Sequence, residues 1–192
     1  RFISGMKKHL EKGVTVKGAR LAEQLDRKFC EMDCSAGSKK PLSSAEIYQR
    51  AANSVVMIGT LYKCGRCEKW HSGFSTGFVI RSDGIVVTNY HVIEKASGVE
   101  TLGVMTHDGG VYPVSAVLAA DENQDLGVLK VAGKGLAALA VKADAPVGSG
   151  VYVLGHPDGQ FYTFTEGLVS RSLVHNAHRK KGKGPGGKIH RM

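Results

Sequence analysis

No run of apolar residues in this chain approaches the roughly 18 to 20 needed for a membrane-spanning helix. Absent too is the apolar core of a signal peptide, and the first residue is Arg rather than Met. The expectation is that a targeting segment has been removed, or that the chain begins inside a longer gene product. Between residues 54 and 172 there is little helical periodicity, which argues against alternating strand–helix units. No internal repeat is evident. Proline is sparse at 5 residues, and residues 175–192 contain no acid.

What is present fits a folded, soluble protein: 42% hydrophobic and 22% charged residues over 192 positions, enough for one ordinary domain or two small ones. Glycine is abundant at 25 residues, which suits short strands joined by tight turns. The net charge of +9 is uneven: residues 1–40 carry +5 and residues 175–192 carry +6, leaving the segment between them at −2. Such basic ends could meet an anionic surface, but Lys/Gly-rich solvated segments explain them as well, and nucleic acid is not expected as a partner.

Residues 1–18 show no sustained period. Leu21, Leu25 and Phe29 fall four apart and predict a weak helix over Ala19–Phe29, followed by a linker from Ser35 to Leu42. Ser43 with Glu46 three residues later forms a capping-box sequence, with Ile47 and Ala51 following at helical spacing. Strands are predicted over Ser54–Tyr62, Phe74–Ile80, Ile85–Asn89, Glu100–Thr106, Val111–Ala119, Leu126–Val131, Ala138–Val141, Gly150–Leu154 and Phe161–Ser172. Asp83-Gly84 and Asp108-Gly109-Gly110 are turn sequences between them. From His175 onward the chain turns basic and Gly-rich, and Ile189 to Met192 reads as the opening of another strand.

Two side chains stand out for chemistry. His91 follows the strand Ile85–Asn89, with Val92 and Ile93 able to anchor one helical turn around it. A histidine at a rigid strand exit is suited to general-base work. Asp125 directly precedes the apolar segment Leu126–Val131, where a carboxylate can accept the Nδ1–H of a histidine and fix its tautomer. Either could equally be a locally satisfied surface residue. Asp121 and Glu122 sit in the preceding turn.

In order along the chain, Ser75–Ile80, Asp83–Val92 with Thr88-Asn89-Tyr90-His91-Val92, Asp125–Val131, Val147–Gly159 and Thr165–Ser170 resemble segments of HtrA/Deg-type trypsin-like serine proteases. The resemblance spans about residues 54–172. It implies an all-β, chymotrypsin-like double β-barrel, the second barrel incomplete, with a short helical N-terminal extension. The implied division is residues 1–42 as extension and linker, 43–135 as helix plus first barrel, and 136–192 as the start of the second barrel. His91 would be the general base and Asp125 its orienting acid. The nucleophilic serine of the family sits in a Gly-Asn-Ser-Gly-Gly-type motif that these residues lack, since Gly182–Gly187 contains no serine and Ser170 and Ser172 lie in a strand pattern. The expectation is therefore the N-terminal part of a serine endopeptidase, inactive as residues 1–192 alone. The alternative is a catalytically inactive, protease-like peptide-binding module.

The four cysteines form a third constellation. Cys64-Gly65-Arg66-Cys67 has C-x2-C spacing with His71 four residues beyond, a pattern compatible with a structural zinc site. Cys30 and Cys34 form a separate C-x3-C pair, either of which could add a fourth ligand. Disulfides, local or joining the two pairs, and free thiols compete with that reading. Trp70 and Tyr62 beside this loop suit hairpin packing. No cofactor is required by the triad chemistry. The resemblance implies polypeptide substrates and a periplasmic or secreted location; homo-oligomer formation is left open, and substrate preference is not legible.

Overall fold

The computed structural model describes residues 1–35, 41–142 and 144–172. Nine strands and four α-helical segments occur among them: α1 (Phe2–Glu11), α2 (Gly18–Ala22), α3 (Ser44–Ala52), β1 (Val55–Lys63), β2 (Trp70–His71), β3 (Phe74–Arg81), β4 (Ile85–Thr88), α4 (Tyr90–Ile93), β5 (Thr101–Met105), β6 (Val111–Asp121), β7 (Leu126–Val131), β8 (Gly150–Gly155) and β9 (Thr163–Leu168). Antiparallel pairing in the order β1-β3-β4-β7-β6-β5 closes on itself through β1–β5, with Met57 opposite Met105 and Leu61 opposite Thr101. The short β2 adds to the end of β1. The result is a six-stranded closed barrel with one extra strand, in a chain whose main architecture is all-β. Closure removes the free edges that an open sheet would expose.

Alternation fills the barrel. Val56, Ile58, Val79, Val86, Leu102, Val104, Val114, Val117, Leu129 and Val131 are buried inside it. β-branched residues dominate these positions because they pack well on a pleated surface. The strands are joined by turns that the local sequence demands. Gly84 closes the β3–β4 hairpin at φ 96°, and a Cβ there would lie 2.5 Å from the Val131 carbonyl oxygen. At the N-terminus of α3, the Ser43 Oγ accepts from the Glu46 amide while the Glu46 carboxylate accepts from the Ser43 amide at 2.8 Å, a complete capping box.

The N-terminal residues do more than extend the chain. Phe2 and Met6 of α1 pack with Met57 and Leu61 on the outer face of β1. That second buried face explains why β1 reads as a nearly continuous apolar run. Leu21 of α2 is fully buried with the barrel core. The helix expected over Ala19–Phe29 is shorter, because residues beyond Ala22 turn to serve β6: Gln24 accepts the Val117 amide at 2.8 Å, and Arg27 donates to the Val117 carbonyl at 2.8 Å.

Eight of the nine expected strands are present, Leu126–Val131 with the expected ends and the other seven with shifted ends. Ala138–Val141 is not one; Leu139 donates a single amide bond to Val79, and no ladder follows. Past the barrel, β8 and β9 pair as a two-stranded sheet from Gly150–Leu168 to Gly155–Thr163. The expectations for the Ile189 strand, the basic tail with His175, and much of the Ser35–Leu42 linker lie outside the described residues.

Candidate active site

β4 and β7 are neighbours in the barrel and antiparallel, with Thr88 opposite Gly127. The exit of one strand therefore coincides with the entrance of the other, and residues 34 positions apart in sequence become adjacent. Beyond Thr88, Asn89 is extended and the chain enters the single turn α4, with Ile93 fully buried as its anchor. Asp125 occupies the position just before β7 in a left-handed conformation, φ 51°. A non-glycine residue in that region is uncommon and directs its carboxylate back across the strand pair.

The contact is threefold. The His91 amide donates to Asp125 Oδ1 at 3.0 Å, and His91 Nδ1 lies 3.0 Å from Oδ1 and 2.9 Å from Oδ2. Asn89 Nδ2 donates to the Asp125 carbonyl oxygen at 3.1 Å and to Oδ2 at 3.2 Å. An ionised carboxylate only accepts, so these bonds require the proton on Nδ1 and leave Nε2 as the acceptor. The His91 amide, then its side chain, hold the Asp125 carboxyl below the usual carboxylate range. The side chains of His91 and Asp125 are 63% and 43% exposed, so the free nitrogen is open to a reacting group. An imidazole oriented in this way can take up a proton at Nε2 and keep the resulting charge beside a carboxylate.

A second polar junction ties β3 to the β8–β9 hairpin. The His156 amide donates to Thr76 Oγ1 at 2.9 Å, and the Tyr162 amide donates to His156 Nδ1 at 3.0 Å. His156 is buried, and its Nε2 has no hydrogen-bond partner among the described residues. Burial pushes its pKa below the ordinary histidine value. Neither the Thr76–His156 link nor the double donation by Asn89 was legible from residue type; the position of Asn89 two residues before His91 was the only hint.

The cysteines separate into two sets. Cys64 Sγ, Cys67 Sγ and a His71 ring nitrogen lie within 4.8 Å of one another, and Cys67 Sγ is 3.1 Å from His71 Nε2. The nearby Arg66 and Cys67 amides, then the Cys67 side chain, hold the Cys64 thiol below the ordinary thiol pKa. Neither Cys30 nor Cys34 joins this group, so the fourth ligand envisaged from them is not brought near it. No disulfide joins any of the four in the structure.

The chain is similar to several known proteins. The trypsin-like peptidase domain family matches residues 75–187. A probable periplasmic serine endoprotease, DegP-like, from Chlamydia muridarum is 35% identical over 105 residues, covering 54% of this chain and 20% of the relative. The magnetosome formation protease MamE of Paramagnetospirillum magneticum is 36% identical over 98 residues, 50% of this chain and 13% of that protein. The chain thus spans about a fifth or less of the length of these relatives. Among solved structures, the HtrA-type protease AlgW with a decapeptide superposes with a TM-score of 0.58 at 22% identity, over 67% of this chain and 46% of that one. An AlgW variant with a tripeptide gives 0.56 at 26% identity, over 68% and 40%. With residues 75–187 matched and relatives of the DegP-like and HtrA type, the chain belongs to the trypsin-like peptidase domain family as an HtrA-type member.

Proposed function

We propose that this chain supplies the base and the acid of a serine endopeptidase triad, His91 and Asp125. The observation that carries the reading is the threefold fastening of Asp125 to His91 and Asn89, which leaves only Nε2 of the ring open. His91 Nε2 takes the proton of a serine hydroxyl as its oxygen attacks the scissile carbonyl. It later returns that proton to the leaving amine, while Asp125 remains ionised and stabilises the intervening imidazolium. These 192 residues contain no Gly-x-Ser-Gly sequence that would supply the serine. Residues 1–192 alone therefore carry out no peptide hydrolysis.

Polypeptides are the substrate class, supported by family membership and by the peptides carried by the AlgW structures. A periplasmic or secreted setting is supported by the names of the DegP-like relatives. Among the described residues no helix is long and apolar enough to cross a membrane.

The test uses the full gene product and an unfolded protein substrate such as casein. His91→Ala should reduce cleavage to background, and Asp125→Asn should lower kcat by about 10⁴-fold. Turnover that survives either change would overturn the assignment. Peptide binding without cleavage by the unmodified protein would favour the binding-module reading instead.

A further inference from the structure

We propose that Cys64, Cys67 and His71 bind a zinc-class divalent cation that fastens the β1–β2 hairpin. The β-register makes the site. Tyr62 pairs with His71 and Lys63 with Trp70, so a histidine seven residues after Cys64 returns to the strand end from which Cys64 departs. The loop between them is folded tightly: the Glu68 amide donates to the Cys64 carbonyl at 2.9 Å, the Cys64 amide donates to the Lys69 carbonyl at 3.0 Å, and Glu68 is left-handed at φ 54°.

Distances agree with metal binding. A tetrahedral Zn²⁺ with Zn–S near 2.3 Å and Zn–N near 2.0 Å spans ligand–ligand edges of about 3.5–3.8 Å. The three donor atoms already lie within 4.8 Å of each other, and the Cys67–His71 pair, at 3.1 Å, needs to open by only a few tenths of an ångström. Tyr62 stacks on the His71 ring at 5.7 Å and 23°, which restricts its orientation. Two sulfurs and an imidazole favour zinc-like cations over magnesium or calcium.

The hairpin also needs such a fastener. β2 has two residues and two ladder pairs, and Cys67, Glu68 and Lys69 are exposed. Trp70 alone at this tip packs against the α1–β1 cluster. Where burial is this slight, a metal can supply the ordering that a core supplies elsewhere. These three donors leave the fourth coordination position for water or another ligand.

The experiment uses the full chain, purified under reducing conditions and equilibrated with Zn²⁺, with metal counted by mass spectrometry. One Zn²⁺ per chain is expected. Co²⁺ in its place should give thiolate-to-metal charge-transfer absorption, which the Cys64→Ser/Cys67→Ser double variant should lack. His71→Ala should weaken Zn²⁺ binding by more than the roughly 10- to 100-fold that follows loss of an outer-shell partner. The Cys30→Ser/Cys34→Ser double variant should bind as the parent does. Chelation of the parent protein should increase proteolytic nicking in residues 64–69, a readout that requires no substitution. Equal Zn²⁺ uptake by the Cys64→Ser/Cys67→Ser variant, loss of uptake in the Cys30→Ser/Cys34→Ser variant, or a metal-free chain with a Cys64–Cys67 disulfide would overturn the proposal. These outcomes are independent of the roles proposed for His91 and Asp125.

Discussion

His91 gives Asp125 two donors at once, its backbone amide at 3.0 Å and its ring Nδ1 at 2.9 Å. Main chain and side chain of one residue are thereby fixed to the same carboxylate, so the ring cannot tilt without breaking a bond that also positions its backbone. The His91 ring is already oriented by these bonds.

Asn89 is the positioning residue in this arrangement. Removing its amide in Asn89→Ala should lower kcat of the full enzyme about 10- to 100-fold with little change in KM, the equivalent of one hydrogen bond to a charged group. Asn89→Asp, which sets a second carboxylate against Asp125, should be worse than alanine. Steady-state kinetics on a peptide substrate measure both. Equal loss in the two variants would contradict an electrostatic role for this contact.

His156 predicts a pH dependence of stability. Its folded-state pKa lies below the ordinary value because burial disfavours the charged ring. Its contribution is therefore fully present above the unfolded value of about 6.5, and is lost as pH falls below it, because the unfolded chain takes up the proton first. Thermal melting between pH 8 and 5 should show a falling Tm, and His156→Asn should flatten that fall.

Met6 is fully buried although it lies in the first helix. Met6→Ala should destabilise the domain by about 2–5 kcal/mol. Val14→Ala, at an exposed position, should stay within about 0.5 kcal/mol. Denaturant titration of the two variants compares them directly; equal, small effects would mean that α1 is not integral to the fold.

Gly84→Ala combines a positive φ with a close approach to the Val131 carbonyl. A loss of more than about 1 kcal/mol is expected from the backbone conformation alone. Because β4 leads to His91, catalytic turnover by the full enzyme should fall as well.

Local features were legible wherever local chemistry decides. The Asp83-Gly84 turn, the Ser43–Glu46 box and most strands follow from residue type and alternation. The nearness of His91 and Asp125 is not local. It depends on β4 pairing with β7, across the connection that holds β5 and β6, and only the resemblance to known proteases anticipated it. Helix α1 was missed although Phe2, Met6 and Leu10 fall four apart, because Gly5 and the lysines dilute the pattern. Gly5 is there for packing: a Cβ would lie 2.8 Å from Val111 side-chain atoms. The expected helix through Phe29 ended early because side chains after Ala22 bond to β6, leaving Phe29 exposed. β2 was too short, at two residues, to carry any alternation.

Gly59 has an evolutionary consequence. Its missing side chain is the space occupied by the Phe2 ring, which lies 2.2 Å from where a Cβ would be. A homologue with alanine at this position could keep its barrel only by shrinking or displacing the aromatic of the first helix. The two sites, nearly sixty residues apart, are therefore expected to vary together across descendants. A relative without the leading helix would be free to place a larger residue there.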